Sequence, residues 1–341
     1  MMNDLTSVDV FCGAGGLSLG LKQAGFRTLA AFDAKESSVA TFSHNVSPNA
    51  FVARAEGVRG DELTKGERLD LLAGGPPCQG FSRQTRGAHL GDERNRLVLE
   101  FARLVNETQP RFFLLENVDQ LGQKRGRGFV ARLQRLLRDY ELHPHFYNSA
   151  DYGVPQTRVR YVIVGKHRSL DLPFVAPVAT APRWPTIGEC LDGLPEPPLD
   201  GSEDPSFANH YRSRVRAANI ARFAHVPPGG GWEDIPFELR LKCHQRVNRT
   251  AGGWPDVYGR LRADGQAPTI TGGFDSFTRG RYGHPFHDRP LTPREAARIQ
   301  GFPDTFRFFG TRSEIRHQIG NAVPVPLSRA IAEAIAQVLQ R

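Results

Sequence analysis

The chain has 341 residues, 39% of them apolar and 23% charged, which is ordinary for a globular protein and long enough for two domains or one domain carrying a large insertion. No apolar stretch approaches the roughly 20 residues that cross a bilayer, so a membrane-spanning protein is excluded. The net charge of +8 and the pI near 9.6 suggest a polyanionic partner. Arginine makes up 38 of the 44 basic residues; guanidinium suits phosphate and guanine, although coding bias produces the same skew.

The opening "MMNDLT" runs straight into "SVDVF" without the basic, apolar and small-residue succession of a secretory leader, so a cytoplasmic protein is expected. Strand-like runs follow at 8–11, 28–33, 69–75, 111–118 and 160–165. Helical periodicity falls between them at 16–24, 35–45, 94–108 and 128–139. This alternation predicts an α/β fold with a mostly parallel sheet covered by helices on both faces. After Gly165 the texture turns to Pro, Gly and Arg, as in "PEPPLDGSEDPS" and "VPPGGGWEDIP", while Trp184, Trp232 and Trp254 argue for an irregular folded domain and not for disorder. Regularity returns at "LTPREAARIQGF", where Thr292 can cap a helix with Pro293 first and Glu295 completing the box. "VPLSRAIAEAIAQVLQ" makes a final amphipathic helix.

Four strand ends carry chemistry-bearing residues. "VDVFCGAGGLSLGL" follows its strand with Gly13, Gly15 and Gly16 and opens a helix, a turn that lets a ligand approach the backbone; a plain tight turn explains it too. Asp33 ends the second strand, where a carboxylate can accept from ribose hydroxyls or cap the next helix. Cys78 leaves the third in "LLAGGPPCQGFS" and Glu116 the fourth in "RFFLLENV". Carboxyl ends of parallel strands share one edge, so thiol and carboxylate converge there beside the glycine turn. Pro76 and Pro77 stiffen the loop while Gly74, Gly75 and Gly80 allow close approach, an arrangement that presents the sulfur to a ligand. In "QTRVR", Arg158 and Arg160 fall on one face of an extended segment. Cys12, Cys78, Cys190 and Cys243 form no C-x-x-C pair, which argues against a metal site or disulfide framework and fits a reducing compartment.

Taken in order, "DVFCGAGG", "GGPPCQGFS", "ENV", "QTRVR", "RPLTPREAARIQGFPD" and "IGNAVP" resemble the cytosine-5 DNA methyltransferases, over residues 8–327. The resemblance implies a Rossmann-like S-adenosylmethionine-dependent methyltransferase fold. A catalytic, cofactor-binding domain would span 1–169 and 320–341, and a smaller irregular target-recognition domain 170–319. S-adenosylmethionine is the implied cofactor, bordered by Phe11, Gly13 and Gly16, held at its ribose by Asp33, and enclosed by Leu97, Asn321 and Ala322. Cys78 is the implied nucleophile, Glu116 the group on the cytosine edge, and Arg158 and Arg160 the groups that fix the base and its carbonyl oxygen. The polar stretch after Cys78, with Arg83, Gln84 and Arg86, would close over DNA from which the target base is flipped out.

The implied substrate is double-stranded DNA and the implied organisation a monomer, either solitary or paired with a cognate restriction endonuclease. Base contacts are expected from arginines between about 185 and 285, for example Arg240, Arg246, Arg249, Arg260 or Arg279. Two positions depart from the family's pattern: Glu56 is followed by Gly57 where an acidic-apolar pair often meets the adenine, and Ala34 follows Asp33 where an aromatic face is common. Three other readings stay open. A relative acting on transfer RNA shares the same motifs, a non-catalytic DNA-binding regulator shares the fold, and a nicotinamide oxidoreductase shares the glycine turn and Asp33 but leaves the P-P-C-Q stretch unexplained.

Overall fold

The computed structural model describes residues 4–77, 96–124, 126–247 and 256–341. Its strands are β1 (Leu5–Val10), β2 (Phe26–Asp33), β3 (Ala50–Val52), β4 (Leu71–Gly74), β5 (Phe112–Val118), β6 (Tyr140–Asn148) and β7 (Val159–His167). The helices are α1 (Gly16–Gln23), α2 (Glu36–Asn45), α3 (Gly60–Thr64), α4 (Arg96–Thr108), α5 (Arg127–Leu136), α6 (Ile187–Leu191), α7 (Ala217–Phe223), α8 (Lys242–Gln245), α9 (Pro293–Ile299), α10 (Arg312–Asn321) and α11 (Val325–Leu339). Among the described residues no single helix is long and apolar enough to cross a membrane.

The chain divides into two compact units: one of residues 1–152, 159–180 and 322–341, the other of 153–158 and 181–321. Relative to the expected limits, 170–180 stay with the first unit, where Phe174 is buried against Phe112, and 153–158 and 320–321 fall to the second.

The first unit is built on one seven-stranded sheet in the order β3-β2-β1-β4-β5-β7-β6. The strands from β3 to β5 run parallel, whereas β7 is antiparallel to both β5 and β6. Apolar runs buried on both faces explain β4 and the start of β5, and β1 is buried throughout although Thr6, Ser7 and Asp9 interrupt its apolar residues, since helices cover the sheet on each side. Val98, Phe101, Leu104 and Val105 of α4 pack on one face with Phe113 and Phe129; Leu17 and Leu21 of α1 with Leu327, Ile331 and Ile335 of α11 pack on the other. The two helices meet closely at Ser328, whose Oγ donates to the Leu17 carbonyl at 2.6 Å.

The second unit has few regular elements, and buried side chains take the place that ladders fill elsewhere. Phe223 and Phe277 stack at 4.2 Å, with Tyr258, Trp232, Val226 and Ile235 completing an apolar cluster. Arg260 lies 4.1 Å over the Phe223 ring and donates to the carbonyls of Val226, Phe223, His284 and His287. The expected capping box is present: Glu295 N donates to Thr292 Oγ1 at 3.2 Å and Thr292 N to Glu295 Oε2 at 2.8 Å. On the helix that it starts, Arg294 is fully buried and donates to the carbonyls of Ala208, Pro303 and Phe306. Burial pulls its pKa down to about 10, yet it remains a cation at neutral pH, able to satisfy three carbonyls that no strand partner reaches.

Arg294→Met should therefore lower the stability of the second unit by about 3 kcal/mol or more, because it strands those carbonyls. All three tryptophans of the chain fall within 181–321, so urea unfolding followed by tryptophan fluorescence reports on this unit. An unchanged midpoint would refute the bracing role.

Candidate active site

The parallel strands of the first unit deliver their carboxyl ends to one edge. After β1 the chain turns through Phe11, Gly13 and Gly15, all with left-handed φ (63°, 52° and 95°). A Cβ on Gly15 would lie 2.8 Å from Val46 Cγ2 and 2.9 Å from Phe42 Cδ2, so the turn packs against α2 only because glycine is there. Nothing lies within 4 Å of the Cβ position of Gly13, which leaves that side of the turn open to a ligand. Asp33, at the end of β2, holds the turn: its Oδ2 accepts from Gly13 N at 3.1 Å and its Oδ1 from Lys35 N at 2.9 Å. The N-cap position of α2 belongs to Lys35, so Asp33 is not a cap. Each Asp33 oxygen keeps a second lone pair for a hydroxyl donor.

Beneath this turn sits a group that sequence reasoning passed over. Asp9 is buried in β1 and accepts from Ser18 Oγ at 2.6 Å, while its Oδ1 has no partner among the described residues. Burial raises its pKa to about 7, opposed by the Ser18 hydrogen bond and assisted by the charge on Asp33. The signal was visible as one acid within the apolar run "SVDVF". Phe51 was missed as well, because the three residues of β3 are too few to show a period; its ring lies 5.8 Å from Phe32, which is 6.0 Å from Phe11, so three rings line the ends of β1 to β3.

At β4 and β5 the same edge carries the proline loop and the "ENV" stretch. A Cβ on Gly75 would come within 3.2 Å of Glu116 Oε2, so the backbone there lies directly against the carboxylate. Asn117, buried, donates from Nδ2 to the Pro76 carbonyl at 3.1 Å and accepts at Oδ1 from Val118 N at 2.9 Å. It thus fixes the loop two residues before Cys78. Cys78 itself, with Arg83, Gln84 and Arg86, lies outside the described residues.

Arg160 reaches the same carboxylate from β7, its Nε 2.9 Å from Glu116 Oε1. The register explains the reach. Val118 faces Arg160 and Glu116 faces Val162, so Arg160 and Glu116 form a diagonal pair on one face of the sheet. Burial pulls the Arg160 pKa down, while the charges of Glu116 and Asp119 hold it up.

Arg158 does not share that face. Gln156 N donates to Val154 O at 2.7 Å and Arg158 N to Gln156 O at 3.0 Å, tight turns that break the extended geometry expected for "QTRVR". The buried Arg158 guanidinium instead donates to the carbonyls of Ile270 (2.8 Å) and Gly320 (3.2 Å), within the second unit. Gln156 is tied there too, to Gln300 Oε1 at 2.8 Å and to Ile270 N at 2.6 Å. Leu97 lies half-buried in the first turn of α4, against the core. Asn321 ends α10, exposed, and Ala322 follows it. Glu56 and Ala34, where the family pattern is broken, are both exposed.

The sequence profile of the C-5 cytosine-specific DNA methylases matches residues 5–337. The chain belongs to that family. It is 33% identical to the Type II methylase M.HgiDII of Herpetosiphon aurantiacus over 98% of its own length and 95% of the relative's. It is 35% identical to the Type II methyltransferase M.PspPI of a Psychrobacter species, over 97% and 79%. Among solved structures it superposes on a DNA modification methyltransferase encoded within a prophage (E. coli) with a TM-score of 0.73 at 29% identity, over 99% of this chain and 100% of that one. S. pombe Dnmt2 methyltransferase shares the fold, with a TM-score of 0.64 at 14% identity over 98% of each chain. The protein is thus a DNA cytosine-5 methyltransferase of the bacterial restriction–modification type, with the α/β methyltransferase fold expected from its sequence.

Two outcomes test this account of the methyltransferase's site. Asn117→Asp keeps the acceptor for Val118 but loses the donor to Pro76; methyl transfer should fall by about tenfold to 100-fold, with cofactor affinity nearly unchanged, as misplaced reacting groups cost that much. Wild-type turnover would dismiss the anchor. The native Asp9 holds a proton that the unfolded chain releases, because its pKa rises from the usual 3.8 to about 7. Stability should therefore fall as pH rises from about 4 to about 7, and Asp9→Asn should flatten that fall. Urea midpoints at pH 5 and pH 8 measure it, and parallel pH profiles for the two proteins would refute it.

Proposed function

We propose that the protein transfers a methyl group from S-adenosylmethionine to carbon 5 of a flipped-out cytosine in a specific duplex DNA sequence, through a covalent bond between Cys78 and the base. The observation that carries this reading is the convergence of Glu116, Arg160 and the Asn117-anchored proline loop at one sheet edge, beside the glycine turn held by Asp33.

The residues present fit the cofactor. An open Gly13, a carboxylate with free lone pairs at Asp33 and the aromatic edge of Phe11 suit a nucleoside, with Gly16, Leu97 and Ala322 of the same unit as further contacts. When bound, S-adenosylmethionine supplies an electrophilic methyl group.

The protein's own residues make carbon 5 reactive. The Cys78 thiolate adds to carbon 6, and the displaced electron pair is drawn toward nitrogen 3 and the carbonyl oxygen. Glu116 passes a proton to nitrogen 3 and takes it back at elimination, and Arg160 turns from Glu116 to the oxygen. Carbon 5 is then an enamine carbon able to take the methyl group. A base or water removes the carbon 5 proton, and elimination returns the thiolate and restores the ring. Arg158, tied to Ile270 and Gly320, acts as a positioning residue for the segment that presents Arg160.

Residues 1–152, 159–180 and 322–341 serve catalysis in this reading, and 181–321 read the DNA sequence. The names of the Type II relatives support pairing with a restriction endonuclease of the same specificity, and a cytoplasmic monomer suffices for the task. No step calls for a metal.

Cys78→Ser should abolish methylation while keeping DNA affinity, and Glu116→Gln should slow covalent addition more than it weakens cofactor binding. Duplex DNA carrying 5-fluorocytosine at the target should trap the wild-type protein covalently and leave Cys78→Ser free. Sequencing of genomic DNA for 5-methylcytosine after expression gives the recognition site. Methyl transfer to transfer RNA in place of duplex DNA, or full turnover by either variant, would overturn the proposal.

A further inference from the structure

The arginines of the second unit fall into two kinds. Most are tied up internally: Arg212 to Glu196, Arg262 to Asp264, Arg281 to Asp256, Arg289 to Glu295 and Arg298 to Asp304. Arg240, one of the expected base readers, is held as well, by the carbonyls of Ile235 and Glu233 and by the Trp232 ring at 5.7 Å. Arg260, another, is the buried brace of the aromatic cluster.

One cleft of about 890 Å³, within this unit, departs from the pattern. Six arginines line it. Arg222 is fixed by the Leu239 carbonyl (2.7 Å) and Asn219 (2.9 Å), Arg312 by the Tyr211 ring (4.5 Å) and the Gly201 carbonyl (2.7 Å), and Arg316 by Asp275 (3.5 Å). Arg214, Arg216 and Arg279 are exposed, and their guanidinium groups have no hydrogen-bond, ion-pair or ring partner among the described residues. Asp275 is the one carboxylate among the described lining residues, and Arg316 already faces it. The hydroxyls of Ser213, Ser276 and Thr278 add neutral donors.

We propose that this cleft is where the second unit grips the sugar-phosphate backbone of its duplex DNA substrate, with Arg214, Arg216 and Arg279 as direct phosphate contacts. The inference rests on the reading of the protein as an enzyme acting on duplex DNA, and adds where the backbone is held. Leaving three exposed cations uncompensated in one concavity is unfavourable by mutual repulsion, and a polyanion relieves it with release of its counterions. Guanidinium forks match phosphate oxygens in pairs, and the fixed Arg222, Arg312 and Arg316 add a positive floor without needing to move. Contacts of this kind set position on the duplex and carry no base preference of their own.

Arg214→Gln, Arg216→Gln and Arg279→Gln test the assignment through the salt dependence of binding. Affinity for a mixed-sequence duplex, measured by fluorescence anisotropy across a potassium chloride series, should show a log–log slope smaller by about 0.9 for each phosphate that a variant no longer neutralises. Arg183→Gln, which removes an exposed arginine paired with Glu189 outside the cleft, should keep the wild-type slope. Cleft variants whose slopes equal that of this control would overturn the proposal. So would variants that change the slope for an RNA stem-loop and leave it unaltered for the duplex. Genomic cytosine methylation by the wild-type protein, followed in parallel, tests the enzymatic reading separately: its loss would sink that reading, while the slopes still decide the occupant of the cleft.

Discussion

The site depends on one reversal in the sheet. Strands β1, β2, β4 and β5 bring their carboxyl ends to a common edge, and with them the glycine turn, Asp33, the proline loop and Glu116. A further parallel strand would bring its carboxyl end there too. Because β7 runs antiparallel to β5, its beginning arrives at that edge, and the diagonal register sets the Arg160 guanidinium on the Glu116 carboxylate. An acid and a cation from segments more than forty residues apart are thereby paired by strand direction and register, before any substrate is present.

Much of this was legible from residue order, for identifiable physical reasons. β4 is apolar throughout, and β1, β2, β5 and β7 each carry a largely buried apolar stretch broken by a few polar residues, so their apolar segments survive in a bare sequence. β6 did not, because it is an edge strand: Glu141, His143, Pro144 and His145 interrupt any apolar pattern, and an edge tolerates the proline that an interior strand would exclude. The glycine turn, Asp33 and Glu116 were singled out from their positions at the ends of strand-like runs. The division of labour within "QTRVR" was hidden, since the hydrogen bonds that send Arg158 to Ile270 and Gly320 are made to backbone groups more than a hundred residues away, which leave no trace in local spacing. Asn117 was legible as a turn residue but not as the anchor of Pro76, for the same reason.

The basic character of the chain has more than one source. A high arginine content suggested a polyanion or a coding bias, and the second unit supplies a third cause. A domain with few strands and short helices leaves many carbonyls without ladder partners, and Arg260 and Arg294 satisfy several each from fully or nearly fully buried positions. The planar fork reaches carbonyls that point in different directions, which a single ammonium does less well. Charge at the surface is therefore a smaller share of the total than the sequence implies.

The path of the chain limits how such a protein can diversify. Residues 153–158 are separated along the sequence from 181–321 yet belong to the same folding unit, where Gln156 meets Gln300 and Arg158 meets Gly320. A recombination event that exchanged only the longer stretch would splice a foreign partner onto a resident hexapeptide. The longer stretch is therefore exchangeable only with a partner that offers Gln156 and Arg158 the same groups, and six residues limit the replacement of the whole unit.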